Sequence, residues 1–141
     1  MSLDITSFHN AISQLEKALG YAESPLAKAD TGLREQFRNS VIQCFEFTYE
    51  LSHKMLQRHL ELTAASPEKI DLGSFQNLIR TGNEKGLLRS DWTQWRAYRQ
   101  ARTDSSHTYD QKKAEAVYAI SSDFLEEAKF LAAKIEANSD Y

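Results

Sequence analysis

Cysteine, proline and glycine are all scarce in this chain of 141 residues, at one, two and five copies. A single cysteine excludes a disulfide framework, and Cys44 lies in an apolar helical run, where a packed core thiol is the default and a reducing compartment is the fit. The prolines, Pro25 and Pro67, fall where helical patterns stop. No apolar run approaches bilayer length, and the opening MSLDITSF has neither a basic n-region nor an apolar core, so a soluble, cytoplasmic chain without membrane contact is expected. Gly-rich phosphate loops, Cys/His zinc spacings and the G-x-S-x-G elbow are absent too. Glu50-x-x-His53 has the spacing of one half of a di-iron carboxylate site, but the chain offers only one such pair, so neither metal nor cofactor is expected. His9, His53 and His59 sit among polar neighbours and read as surface histidines.

Strong positive charge is also missing. A net charge of -3 argues against sequence-independent binding of long nucleic acid through a broad basic face. The distribution is nevertheless uneven. Between positions 89 and 113, six basic residues (Arg89, Arg96, Arg99, Arg102, Lys112, Lys113) stand against three acidic ones (Asp91, Asp104, Asp110). A local cationic site on an acidic body favours one small anion or a few nucleotides.

What is present is helical periodicity. At this length a single domain, residues 1–141, is expected. Ile5, Phe8, Ile12, Leu15, Leu19 and Ala22 draw one apolar stripe after a cap at Asp4. Ser24-Pro25 ends or bends that helix. A second helix is predicted from Thr31-Gly32 onward, with Phe37, Val41, Cys44, Thr48, Leu51, Met55 and Leu62 inward and Phe45 and Phe47 widening the stripe. Residues 63–73 read as a connection, 74–80 as a short helix, and Thr81-Gly82-Asn83 as a turn. Ser90 is the expected cap of the next helix, with Asp91 in its first turn. The last helix is predicted from about Asp110 to about Asn138, through Ala114, Val117, Ser121, Phe124, Ala128, Leu131 and Ile135. These patterns imply an all-α, up-and-down antiparallel four-helix bundle with one additional short helix.

On the helix after Ser90, the 3.6-residue period places Leu88, Trp92, Trp95, Arg99 and Arg102 on one stripe, so a face that begins apolar ends cationic. Arginine where the pattern calls for core points either to snorkelling or to a functional cleft. Aromatics beside Arg96, Arg99 and Arg102 suit a stacked base and its phosphate, with Trp92 read as core and Trp95 open to either role, a stacking surface for a base or part of the core.

The stretch that follows is RTDSSHTY, residues 102–109. Arg102 supplies a planar fork of donors for phosphate oxygens, and histidine is the side chain that gives or takes a proton near neutral pH. The pattern Arg-x4-His-x-Tyr resembles the signature of HEPN-domain proteins and, with SHTYD at 106–110, the branch of nucleotidyltransferase substrate-binding proteins, or HepT toxins. The resemblance covers nearly the whole chain. In that family the position after the motif arginine is often Asn or Asp; here it is Thr103, with Asp104 next.

That resemblance implies a toxin–antitoxin pair in which the chain partners a minimal nucleotidyltransferase and acts as a metal-independent endoribonuclease. Arg102 and His107 are then catalytic, Thr103 and Asp104 supporting, and Tyr109 the site at which the partner attaches adenylate. A cleavage step that needs both a base and an acid, with one motif histidine per chain, calls for the homodimer in which family members pair across a cleft. The rival reading is a non-catalytic subunit that binds a nucleotide and presents it to the transferase, and a third is a helical adaptor. The chain lacks the Gly-Ser and paired-Asp signature of a transferase itself.

Overall fold

The computed structural model describes residues 3–64 and 74–139, so most of the predicted 63–73 connection lies outside the described residues. The described residues form six helices: α1 (Thr6–Ala22), α2 (Pro25–Ala29), α3 (Thr31–Thr63), α4 (Phe75–Glu84), α5 (Trp92–Asp104) and α6 (Gln111–Ala137). The four long ones, α1, α3, α5 and α6, make the expected all-α antiparallel bundle. Two short helices rather than one accompany it.

Each helix begins where a short polar side chain can take up free backbone N–H groups. Asp4 accepts from Thr6 N at 2.9 Å. Asp30 accepts from Leu33 N, Ser74 from Asn77 N, and Asp110 from both Lys112 N and Lys113 N. The unforeseen α2 arises because Ser24-Pro25 does two jobs. Pro25 halts α1 and is also the pre-shaped first residue of the next helix, which Ser24 caps by accepting from Ala27 N. Asp91, rather than Ser90, caps α5, accepting from Thr93 N at 3.1 Å.

The predicted turn at Thr81-Gly82-Asn83 is helix instead, since α4 runs on to Glu84. Gly82 serves packing: a Cβ there would meet Leu88 Cδ1 at 3.0 Å and Leu56 Cδ1 at 3.3 Å. The chain reverses at Gly86, whose φ of 73° is the left-handed conformation that glycine adopts without strain.

The α6 stripe faces inward as expected, with Ala114, Val117, Ser121, Phe124, Ala128, Leu131 and Ile135 all buried. On α1, Phe8, Ile12, Leu15 and Ala22 are buried. The α3 stripe holds through Val41, Cys44, Thr48 and Met55, and Phe45 joins it, whereas Phe47 and Leu62 stay exposed. Burial also raises the Cys44 thiol pKa, consistent with a packed core thiol. At the centre Phe124 meets Tyr98 at 4.9 Å, Phe45 at 5.1 Å and Trp95 at 5.9 Å, all edge to face. Such pairs add roughly 0.5–1.5 kcal/mol each beyond the area they bury.

Two carboxylates on α6 fix the rotation of α5. Asp123 accepts the Tyr98 hydroxyl at 2.5 Å, Gln94 Nε2 at 3.0 Å and Arg89 Nη1 at 3.1 Å; these hydrogen bonds, Tyr98 first, hold its carboxyl below the usual range. Glu127, fully buried, accepts Arg89 N at 2.8 Å just before α5 begins, and its burial pushes its carboxyl up. Together they turn Trp95, Tyr98 and Ala101 into the core and leave the next face of α5 outward.

One histidine reading needs correction. His59 is buried at the inner face of α3, and His53 packs edge-on against Phe75 at 5.1 Å; only His9, bonded to Glu136, is a surface residue. Burial lowers the pKa of both His53 and His59 below the ordinary 6.5. A group whose folded pKa is depressed binds protons more readily when unfolded, so stability is full above 6.5 and falls as pH drops below it. The urea midpoint should therefore fall between about pH 7.5 and about pH 5.5, and fall less in His59→Gln. Equal falls in the two proteins would exclude His59 as a source.

Candidate active site

The segment joining α5 to α6 is tightly wound. Ser105 N donates to Ala101 O, His107 N to Asp104 O at 2.9 Å, and Asp110 N to His107 O at 3.0 Å. These bonds close the last turn of α5 directly onto the cap of α6. The His107 and Tyr109 side chains consequently stand out from one short corner, with Arg102 one turn back along α5.

Tyr109 is 80% exposed, yet its hydroxyl is not free. It lies 2.8 Å from His107 Nδ1, with the two rings edge to face at 5.6 Å. When Nε2 carries the ring proton, Nδ1 accepts from the phenol; when Nδ1 is protonated it donates to the phenolic oxygen. Either way the contact sets the orientation of the imidazole and couples its proton to the phenol.

Arg102 turns toward α3. Its Nε donates to Glu50 Oε1 at 2.6 Å, and its Nη1 donates to Ser105 Oγ at 3.3 Å and lies 3.6 Å from Glu46 Oε2. Ser105, almost fully buried, holds its Oγ 2.9 Å from Glu46 Oε2 and 2.6 Å from Arg102 O. Nη2 has no partner among the described residues. The expected supporting residues do not make these contacts: Thr103 Oγ1 donates to Arg99 O and Asp104 accepts from Gln100 Nε2. Sequence reasoning missed Ser105, Glu46 and Glu50 as partners of Arg102. Their one signal was the four-residue spacing of Glu46 and Glu50, which also fits a solvated helix face.

A shallow groove of about 270 Å³ runs along the outer face of α5, lined by Trp92, Arg96, Arg99, Gln100 and Thr103. Arg99 lies over the Phe75 ring at 5.4 Å. Among the described residues neither Arg96 nor Arg99 forms an ion pair, in contrast to Arg34, Arg38, Arg89 and Arg102. An anion entering this groove meets two arginines that no carboxylate among the described residues neutralises.

The two tryptophans divide the work differently from a simple stacking site. Trp95, a candidate for stacking on a base, is 1% exposed and packs in the core against Phe124 and Tyr98. Trp92 packs against the core as expected, half-buried, and its remaining surface lines the groove. The single stripe is split as well, since Arg99 faces the groove while Arg102 faces α3.

A family model described as nucleotidyltransferase substrate binding protein like matches residues 3–137. The chain belongs to that family. Among its relatives, the probable ribonuclease HepT of Haemophilus influenzae is 44% identical over 100 residues, spanning 71% of this chain and 68% of the relative. The solved structure of HI0074 from Haemophilus influenzae, described as revealing the fold of a substrate binding domain of a nucleotidyltransferase, matches with a TM-score of 0.86 at 34% identity, covering 94% of this chain and 99% of that one. A crystal structure from Thermus thermophilus shares the fold at a TM-score of 0.66 and 24% identity, over 91% of this chain and 98% of its own. Among the described residues no helix is long and apolar enough to cross a membrane.

Proposed function

We propose that the chain is a metal-independent endoribonuclease, the toxin half of a toxin–antitoxin pair, held in check by a minimal nucleotidyltransferase in the cytoplasm. The observation that carries this reading is the corner itself: a half-buried imidazole oriented by a phenol, with an arginine one turn back along α5 whose Nη2 meets no partner among the described residues. The name of the HepT relative supports it, as does membership of a nucleotidyltransferase substrate-binding family.

In the reaction, a base removes the proton of a ribose 2′-OH, the oxygen attacks the adjacent phosphorus, and an acid protonates the departing 5′-oxygen. Arg102 stabilises the charge that builds on the equatorial phosphate oxygens. One imidazole cannot be base and acid at the same instant. A homodimer that brings two copies of the corner together supplies one His107 for each role. The groove of Trp92, Arg96 and Arg99 receives the flanking nucleotides.

Regulation uses the same corner. The Tyr109 oxygen attacks the α-phosphorus of ATP held by the partner, pyrophosphate leaves, and the phenolic proton passes to His107 Nδ1, which already faces it.

The test is incubation of the purified chain with single-stranded RNA in excess chelator. Cleavage is expected. If the RNA stays intact while nucleotides still bind, the chain is instead the non-catalytic subunit that presents a nucleotide to the transferase, a reading that the groove of Trp92, Arg96 and Arg99 would then favour.

A further inference from the structure

Arg102 is the proposed phosphate-facing cation, yet the side chains that hold it come from α3, more than fifty positions away in sequence. Glu50 takes its Nε–H at 2.6 Å. Glu46, one helical turn earlier, lies 3.6 Å from Nη1 and is joined to the same nitrogen through Ser105 Oγ, 2.9 Å from the carboxylate and 3.3 Å from Nη1. A guanidinium has five N–H donors in one plane. Holding it at Nε and Nη1 fixes that plane and leaves Nη2, without a partner among the described residues, for a ligand.

We propose that Glu50, assisted by Glu46 through Ser105, is a positioning residue that aims Arg102 at the scissile phosphate. This rests on the ribonuclease reading for the identity of the ligand. Three properties favour it. Arginine carries several freely turning bonds, so an unheld guanidinium must be ordered at each binding event, whereas this one is ordered beforehand. The hold is charge-assisted and short, which makes it directional. It also reaches Arg102 from a different helix, so it fixes the cation relative to the bundle rather than to the α5–α6 corner alone. Glu50 is 54% exposed, so losing its side chain opens no cavity.

The test compares wild type, Glu50→Ala, Glu50→Gln, Arg102→Ala and Arg102→Ala/Glu50→Ala, all checked for helical content. If Glu50 orients Arg102, Glu50→Ala lowers kcat/KM for RNA cleavage about tenfold to a hundredfold. Glu50→Gln, whose amide oxygen can still accept the Nε–H, recovers to within about threefold of wild type, and Glu50→Ala changes the Arg102→Ala protein by less than about twofold. Activity equal to or above wild type in Glu50→Ala overturns the proposal, because the carboxylate would then compete with phosphate for Arg102. A loss that Gln does not rescue, or one that adds to the Arg102→Ala loss, also overturns it and points to a chemical role for the carboxylate itself.

If the wild-type chain leaves RNA intact, the ribonuclease reading fails, and the same five proteins are titrated with a non-cleavable 2′-O-methyl oligoribonucleotide. Weakened binding in Glu50→Ala, rescue by Gln, and no further effect in the Arg102→Ala background sustain the positioning of Arg102 toward phosphate. Unchanged or tighter binding in Glu50→Ala refutes it.

Discussion

Once adenylate is attached to Tyr109, RNA cleavage should fall at least about a hundredfold, the scale that a positioned proton-transfer group contributes, while the thermal midpoint should stay within about two degrees. The phenolic oxygen that contacts His107 Nδ1 at 2.8 Å would become a phosphodiester oxygen. It could no longer donate, so an imidazole that carries its proton on Nε2 would lose the hydrogen bond that orients it. The added phosphate would bring a negative charge to the α5–α6 corner, where it would repel an RNA phosphate approaching His107. Tyr109 is 80% exposed, so the modification would displace nothing from the core and the fold should not respond. Incubation with the cognate transferase, ATP and Mg²⁺, followed by mass mapping and a cleavage assay, checks this. Adenylate found elsewhere, or full activity in a chain completely modified at Tyr109, would contradict it. Tyr109→Phe separates the two effects: the variant cannot be modified, and it loses only one hydrogen bond, an effect of about 0.5–1.5 kcal/mol.

Arg102→Ala and His107→Ala should each lower cleavage about a hundredfold or more, because each removes a group that acts on charge or protons in the transition state. Stability should change little. The Arg102 side chain is 30% exposed, and its partners Glu46 and Glu50 remain partly solvated without it, so the broken pairs are of the half-exposed kind that contribute about 0–1 kcal/mol. Cleavage kinetics beside urea melts resolve the two quantities. Full activity in either variant, with the fold intact, would remove that residue from the mechanism.

Much of the bundle is legible in the sequence, because an apolar stripe repeated at 3 and 4 records which side of a helix is covered. The α6 stripe from Ala114 to Ile135 is inward throughout, and the helix starts at Asp110, its cap, close to the expected position. The motif residues could also be read, since Arg102, His107 and Tyr109 are neighbours in the chain. What escaped depends on other helices. Trp92 and Trp95 differ by only about 60° around α5, and the choice between them is made by Asp123 and Glu127 on α6, which grip Tyr98 and Arg89. Gly82 resembled a turn because its need for space lies in Leu56 and Leu88 across the packing interface. In the sequence Glu50 reads only as half of a metal-site spacing with His53, and Glu46 carries no chemical motif of its own; the fold alone sets Arg102 against both.

The most direct measurement is the chemistry of the ends produced when the purified wild-type chain cuts RNA in excess chelator. Attack by the neighbouring 2′-oxygen, with protons handled by His107 and charge by Arg102, must leave a 2′,3′-cyclic phosphate on one fragment and a 5′-hydroxyl on the other. Those ends, absent when His107→Ala replaces wild type, are the predicted result. Fragments ending in 3′-hydroxyl and 5′-phosphate, or cleavage that the His107→Ala protein retains, would contradict it.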